Sequence, residues 1–345
     1  MSKGEIMHTD ESKRAFDRRH LFIMIAAFAA VYVVWGSTYL AIKYAIETMP
    51  SFLMAGVRFV AAGGILYAIA RVTGNYEKPK LIEWRTSFIV GTLLLGIGNG
   101  GVVLAEHYIS SSLAALLVAT MPFWMVLLGW TFMGSGRPNY KVSLGLLVGF
   151  VGVALLITGR GGETASTTSD GWLFGVICIL VATLGWSIGS LYGAKAPTAK
   201  SFVQAAGMQM LAGGLVLVIM GLVTGEWAAL DVAAISTNSW LALLYLIFFG
   251  AIVGYTAYSW LLKNVSPAAI STYAYVNPAI AVFLGWAIAG ETMTGQMLLG
   301  AAVIVASVAL ITLQKKAPTT AVQEAKLEDG LKKIDASSRK FSTSG

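Results

Sequence analysis

Residues 52–67 read FLMAGVRFVAAGGILY, and residues 203–218 read VQAAGMQMLAGGLVLV. Set at an offset of 151, Ala55-Gly56 falls on Ala206-Gly207, Ala61 on Ala212, Gly63 on Gly214, and, upstream, Trp35 on Trp186. The match continues down the chain. At 154, Gly96-x-x-x-Gly100 falls on Gly250-x-x-x-Gly254; at 156, Pro122 falls on Pro278, Leu128-Gly129-Trp130 on Leu284-Gly285-Trp286 and Gly134 on Gly290. At 155, Gly145 meets Gly300 and Val153-Ala154-Leu155 meets Val308-Ala309-Leu310, the drift in offset marking short loop insertions. Co-linear Trp, Pro and Gly pairs of this kind indicate an internal duplication.

Composition sets the solvent in which the duplicated unit folds. The chain is 57% hydrophobic and 12% charged, against about 25% charged residues in soluble domains. Ten apolar runs, near 21–45, 51–72, 86–108, 111–133, 141–158, 172–192, 201–224, 239–262, 267–289 and 295–314, each have the length a helix needs to cross about 30 Å of hydrocarbon. The expected fold is an all-α integral membrane protein with ten transmembrane helices in two five-helix repeats, over residues 21–158 and 172–314. Five is odd, so the second repeat lies inverted relative to the first, an arrangement that lets two similar halves exchange conformations around a central site. Residues 1–20 form a polar N-terminal segment. Residues 315–345 mix charge, Ser and Thr without apolar periodicity, as disordered tails do.

The net charge of +7 does not point to nucleic acid, because the cations are sorted by loop. With the N-terminus inside, the four inner loops carry nine Lys or Arg and the five outer loops carry two, Lys43 and Arg160. This positive-inside asymmetry predicts that both termini are cytoplasmic. No small-residue cleavage site follows the first apolar run, which is therefore expected to be retained. The single Cys178 excludes an internal disulfide and a thiolate metal cluster.

VVWGSTYLAIK in the first span, AGVRFVAAGG in the second and SPAAISTYAYVNPAIAVFLGWAIAGE in the ninth resemble EamA-type permeases of the drug/metabolite transporter superfamily. The resemblance covers roughly residues 20 to 314. It implies ten helices in two inverted halves around a central cavity, residence in a bacterial inner membrane, and export of amino acids, metabolites or drugs, without fixing the substrate.

Several residues stand out against the apolar background. Arg58 lies about seven residues inside the second span, roughly 10 Å deep, where an arginine costs about 2.5–3.5 kcal/mol on insertion scales. Its repeat mate is Gln209, so packing of the repeat does not require a cation. Three roles fit Arg58: substrate binding or coupling, a structural ion pair, and snorkelling to the interface. Glu106, beside His107 at the outer end of the third span, is a candidate ion-pair partner for Arg58 and a candidate proton site; the alternative is a water-exposed interfacial Glu-His. Pro122 and Pro278 remove a backbone donor from the fourth and ninth spans and read either as matched hinges around a central path or as simple kinks. Trp35 and Tyr39, four apart, share one helix face; Tyr273 and Asn277 share another; Trp186 mirrors Trp35. Together they read as a cavity lining suited to a small amphipathic or zwitterionic solute. Lys43 and Glu47 have the i, i+4 spacing of a solvated helix-end pair.

GIGNGG at 96–101 lacks the preceding strand and the GKS or GKT ending of a phosphate loop. The apolar runs contain no HExxH, no cluster of His and Asp ligands and no Cys-His nucleophile arrangement, so no catalytic residue, metal or cofactor is predicted. The expected partners are a small-molecule substrate and the lipid bilayer. The expected function is a gradient-driven secondary transporter that exports small metabolites by alternating access. A membrane-embedded enzyme and a passive channel are the alternatives.

Overall fold

The computed structural model describes residues 3–132, 134, 137–158, 169–265, 270 and 273–312. Among them there is no strand. Seven helices are long and apolar enough to cross a membrane: Leu21–Ile46, the apolar part of α1 (Lys3–Ile46), then α2 (Ser51–Val72), α3 (Leu81–Ala105), α4 (Ser111–Phe132), Gly171–Lys195 within α6 (Ser169–Lys195), α7 (Phe202–Val223) and α8 (Thr237–Asn264). Three further helices, α5 (Tyr140–Thr158), α9 (Tyr273–Ala289) and α10 (Gly295–Thr312), hold shorter apolar stretches. Residues 1–2 and the tail 315–345 lie outside the described residues.

Helix starts are capped and helix stops are glycine-marked, at positions that match between the two halves. α2 follows Pro50, and its first amides, Phe52 N and Leu53 N, donate to the Glu226 carboxylate at 3.0 and 2.8 Å. α7 is capped by Ser201, whose hydroxyl accepts from Gln204 N. Gly74 and Gly225 follow the ends of α2 and α7 with φ of 71° and 79°, and Gly134 and Gly290 follow α4 and α9 with φ of 67° and 64°. A left-handed residue after a helix is inexpensive only for glycine. α3 begins at Leu81, five residues before its apolar run, because Lys80 N donates to Glu83 Oε2 at 2.8 Å in a capping box. The charges of that first turn hide the helix from a hydropathy reading but do not prevent it from forming.

α3 and α8 share a second peculiarity. Each carries a wide-turned π segment in its middle, Thr92–Asn99 in α3 and Leu246–Tyr255 in α8. Such segments are rare and concentrate at functional positions.

α2 packs along α7, and four glycines let the backbones touch. A Cβ on Gly63 would lie 2.8 Å from Leu211 N, and one on Gly214 2.8 Å from Val60 N; Gly56 and Gly207 meet the opposite backbone in the same way. Close approach of this kind is how helices gain dispersion energy where lipid offers no hydrophobic driving force. α5 packs along α10, α1 against α8 and α9, α6 against α3 and α4, and α7 and α8 against α3 and α2 respectively. The exterior is greasy: Phe132 is 78% exposed, Phe22 72% and Leu147 65%. In water such patches would aggregate; in hydrocarbon they face their own kind.

Candidate functional site

Between α1, α2, α3, α4, α6, α8 and α9 lies a cavity in which the centres of water-sized spheres can move over about 80 Å³, several times what one water molecule requires. Trp35, Tyr39, Arg58, Trp186, Tyr273 and Asn277 all line it. The sequence places these six residues on four different helices, and the fold brings them around one space.

The aromatic wall is built edge to face. Trp35 lies with its ring centroid 5.5 Å from that of Trp186 and 5.5 Å from that of Tyr273, both near 90°, and 5.0 Å from Tyr258. This is the geometry that opposed ring quadrupoles favour. Each tryptophan rests on a glycine of the opposite half's π segment: Trp35 on Gly254 of α8, where its Nε1 donates to the Gly250 carbonyl at 3.1 Å, and Trp186 on Gly98 of α3. The Asn277 amide stands against the carbonyls of Tyr273 (3.2 Å) and Tyr32 (3.0 Å), which assigns its nitrogen to that side as the donor.

Arg58 is 3% exposed. Its Nη2 donates to Asn99 Oδ1 at 2.6 Å, its guanidinium carbon lies 4.2 Å from the Phe59 ring centroid, and its Nε has no partner in the protein. Asn99, also on the cavity wall, went unnoticed in the sequence; the signal was present as the one amide inside the glycine run 96–101. The expected Arg58–Glu106 ion pair is not formed. Glu106 is 8% exposed and both of its carboxylate oxygens lack a hydrogen-bond partner. The reason is axial distance: Asn99 precedes Glu106 by seven residues on α3, about 10 Å along the helix, and Arg58 reaches the nearer acceptor. His107 does not face water freely either, since it hydrogen-bonds Ser51 at the start of α2. Burial holds its imidazole below the ordinary pKa, with Glu226 opposing.

The two prolines differ. Pro278 sits inside α9. Pro122 falls in the first turn of Met121–Phe132, because α4 is interrupted at Ala119 and Thr120, with Thr120 N bonded to the Leu117 carbonyl at 3.0 Å. A first turn has no need of the missing N–H, so the chain breaks before Pro122 rather than bending at it. Met121 at this break lines the cavity and accepts at Sδ from the Tyr273 hydroxyl at 3.3 Å.

Tyr255 and Tyr258 on α8 are part of the same cluster and were not singled out in the sequence, where GYTAYSW reads as ordinary span residues. Tyr255 donates to Gln209 Oε1 at 2.7 Å; Tyr258 shares a hydrogen with Ser190 at 2.8 Å and accepts from Trp186 Nε1 at 3.3 Å.

At the end of the bundle beyond Glu106, Glu291 in the loop before α10 collects a ring of donors. These are Ser111 N (3.0 Å), Ser111 Oγ (2.7 Å), Ser112 N (3.1 Å), the Ser112 hydroxyl and Lys43 Nζ (2.9 Å). Burial pushes the Glu291 carboxyl up, but the hydrogen bonds from Ser112, Ser111 and Lys43 outweigh it and hold the group below the ordinary glutamate range. Lys43 therefore pairs with Glu291 rather than with Glu47, which is exposed.

The chain matches the EamA-like transporter family twice, over residues 21–158 and 173–313. It is 38% identical over 299 residues to a protein of Escherichia coli (strain K12) named "Uncharacterized inner membrane transporter YedA", covering 86% of this chain and 93% of that one. It is 25% identical to the "Uncharacterized transporter YvbV" of Bacillus subtilis (strain 168), covering 85% and 92%. One solved crystal structure shares the fold, with a TM-score of 0.58 at 19% identity over 84% of this chain and 97% of that one. An apolar helical bundle with a central polar-edged cavity, a family model matched in both halves and a 38% identical relative lead to one assignment: the chain belongs to the EamA-like transporter family and is a membrane permease of the drug/metabolite transporter type.

Proposed function

We propose that this permease exports small amphipathic or zwitterionic metabolites, amino acids among them, across a bacterial inner membrane by alternating access of two inverted five-helix halves. The cavity carries the reading. Its aromatic wall offers stacking to an apolar body, and among the described residues that line it one is a buried cation, Arg58, whose Nε is unpartnered. A carboxylate is the group that would satisfy that donor, since charge-assisted bonds to guanidinium are the strong ones. Trp35, Tyr39, Trp186, Tyr273 and Asn277 hold the rest of the solute. Glu106 is the coupling residue: an ionised carboxylate buried without a donor is expensive, and a bound proton removes that cost.

Support for the inverted halves comes from the helix pairings. Exchanging each helix for its counterpart in the other half turns α1 on α9 into α6 on α4, α6 on α3 into α1 on α8, and α3 on α7 into α8 on α2, all of which are present. The paired glycine stops and paired π segments support it further. The excess of Lys and Arg in the inner loops supports cytoplasmic termini, an orientation in which the Glu291 and Glu226 loops face outward. The break before Pro122 and Pro278 inside α9 are the hinge points.

The test is counterflow into proteoliposomes loaded with unlabelled solute, screening radiolabelled amino acids with and without a pH gradient. Saturable exchange that collapses in Arg58→Gln supports the reading. Non-saturable flux unaffected by trans solute would make the protein a channel and refute it.

A further inference from the structure

A second cavity continues the first along the same helices. Val90 and Leu94 of α3, Gly189 and Gly193 of α6, and Ser259, Leu262 and Lys263 of α8 line it, together with Gln209 of α7. On α3, Leu94 lines the second cavity and Gly98 the first, four residues or about 6 Å apart along the axis. On α6 the step is from Trp186 to Gly189, and on α8 from Tyr255 to Ser259. The second cavity lies toward the end of the bundle that carries Lys263 and Thr198, which line it.

What separates the two spaces is a pair of hydrogen-bonded tyrosines. Tyr255 lines the first cavity and Gln209 the second, so their 2.7 Å bond spans the wall between them. One turn further, Tyr258 closes onto Ser190 and Trp186 of α6. Both tyrosines are buried, at 2% and 0% exposure. We propose that the second cavity is the cytoplasmic vestibule of the solute path, and that Tyr255 with Gln209 and Tyr258 with Ser190 form the gate between it and the central site. The proposal rests on the transport reading above and deepens it.

The backbone supplies the means of opening. The π segment of α8 ends on Tyr255. Annealing a π turn to α-helix shifts the register by one residue, a rotation of about 100°, which carries the phenol off Gln209. The first half has the counterpart: its π segment ends on Asn99, which holds Arg58, the repeat mate of Gln209. The two bonds lie at equal depth from opposite ends of the bundle, Arg58 seven residues into α2 and Gln209 seven residues into α7. A path gated alternately from its two ends needs that placement.

The test reads accessibility in membrane vesicles, in a Cys178→Ser background. Thr38→Cys reports on the central cavity and Ala194→Cys on the vestibule. A membrane-impermeant cationic thiol reagent is applied to the face that carries the N-terminus. Ala194→Cys is expected to react readily there and Thr38→Cys slowly. Adding Tyr255→Phe and Tyr258→Phe, which keep the rings and remove only the hydroxyls, is expected to raise the Thr38→Cys rate about tenfold or more, the scale of three lost hydrogen bonds. The Ala194→Cys rate and reaction from the opposite face stay unchanged. Gln209→Met, which keeps length and removes the acceptor, is expected to give a smaller rise in the same direction. An unchanged Thr38→Cys rate in these variants overturns the gate, as does an Ala194→Cys rate no higher from this face than from the other. Counterflow on the same proteins separates the two readings. Solute exchange with an unchanged Thr38→Cys rate removes the gate alone, whereas altered accessibility without any counterflow removes the transport mode and leaves the septum.

Discussion

Arg58 Nη2 donates to Asn99 Oδ1 at 2.6 Å, while its Nε, equally buried, has no protein partner. A cation held by a neutral amide keeps its charge available to an incoming anion; held by a carboxylate it would be spent. Replacing Arg58 with Gln is therefore expected to weaken binding of a carboxylate-bearing solute by about 10- to 100-fold, the worth of one charge-assisted bond. The corresponding uncharged analogue is expected to lose little. Counterflow competition with the two compounds checks this; equal losses for both would show that Arg58 acts through structure.

Glu106→Gln is expected to leave solute exchange at fixed pH in place and to abolish the response to a proton gradient. Glutamine keeps the size of the side chain and cannot exchange a proton. Uptake driven by an imposed pH gradient, measured beside counterflow at equal pH, separates the two effects. A variant still driven by the gradient would remove Glu106 from coupling.

Glu291 ties α1, the start of α4 and the loop before α10 together, and its carboxyl is held below the ordinary range. A group whose folded pKa is depressed contributes stability above its unfolded value, about 4.3, and loses it as pH falls through the folded value. Thermal unfolding in detergent should therefore be flat in this contribution from pH 7 to about 5 and decline below about 4. Glu291→Gln is expected to melt lower at pH 7 and to show a shallower acid decline.

Gly63→Ala is expected to cost about 1–3 kcal/mol, the range for overpacking, because its Cβ would stand 2.8 Å from Leu211 N and 2.9 Å from the Gly207 carbonyl. Gly64→Ala, the next residue, meets nothing within 4 Å and is expected to be neutral. Melting temperatures of the two variants provide the comparison. Equal values would mean that α2 and α7 can separate at no cost.

Trp35→Ala removes one ring from contacts with three others and a seat on α8. Loss of solute stacking is expected to raise the half-saturation concentration for aromatic or aliphatic solutes more than it lowers maximal exchange. Trp35→Phe should recover most of the effect, because stacking is a property of the ring and not of the indole N–H.

The amino-acid sequence by itself determined the solvent, the duplication and the cavity-facing candidates. Hydropathy decides burial in lipid, residue by residue, and repeat matches such as Trp35 with Trp186 survive in the chain regardless of how it folds. It also showed that the Arg58 position tolerates an uncharged mate. Tertiary structure alone decided the partners. Arg58 chose Asn99 over Glu106, Lys43 chose Glu291 over Glu47, and Tyr255 found Gln209 46 residues away. Each choice turns on axial height and rotation between helices, which depend on where glycines let backbones meet and where π segments change the register. Those are distances between elements, and a one-dimensional pattern records only spacing within them.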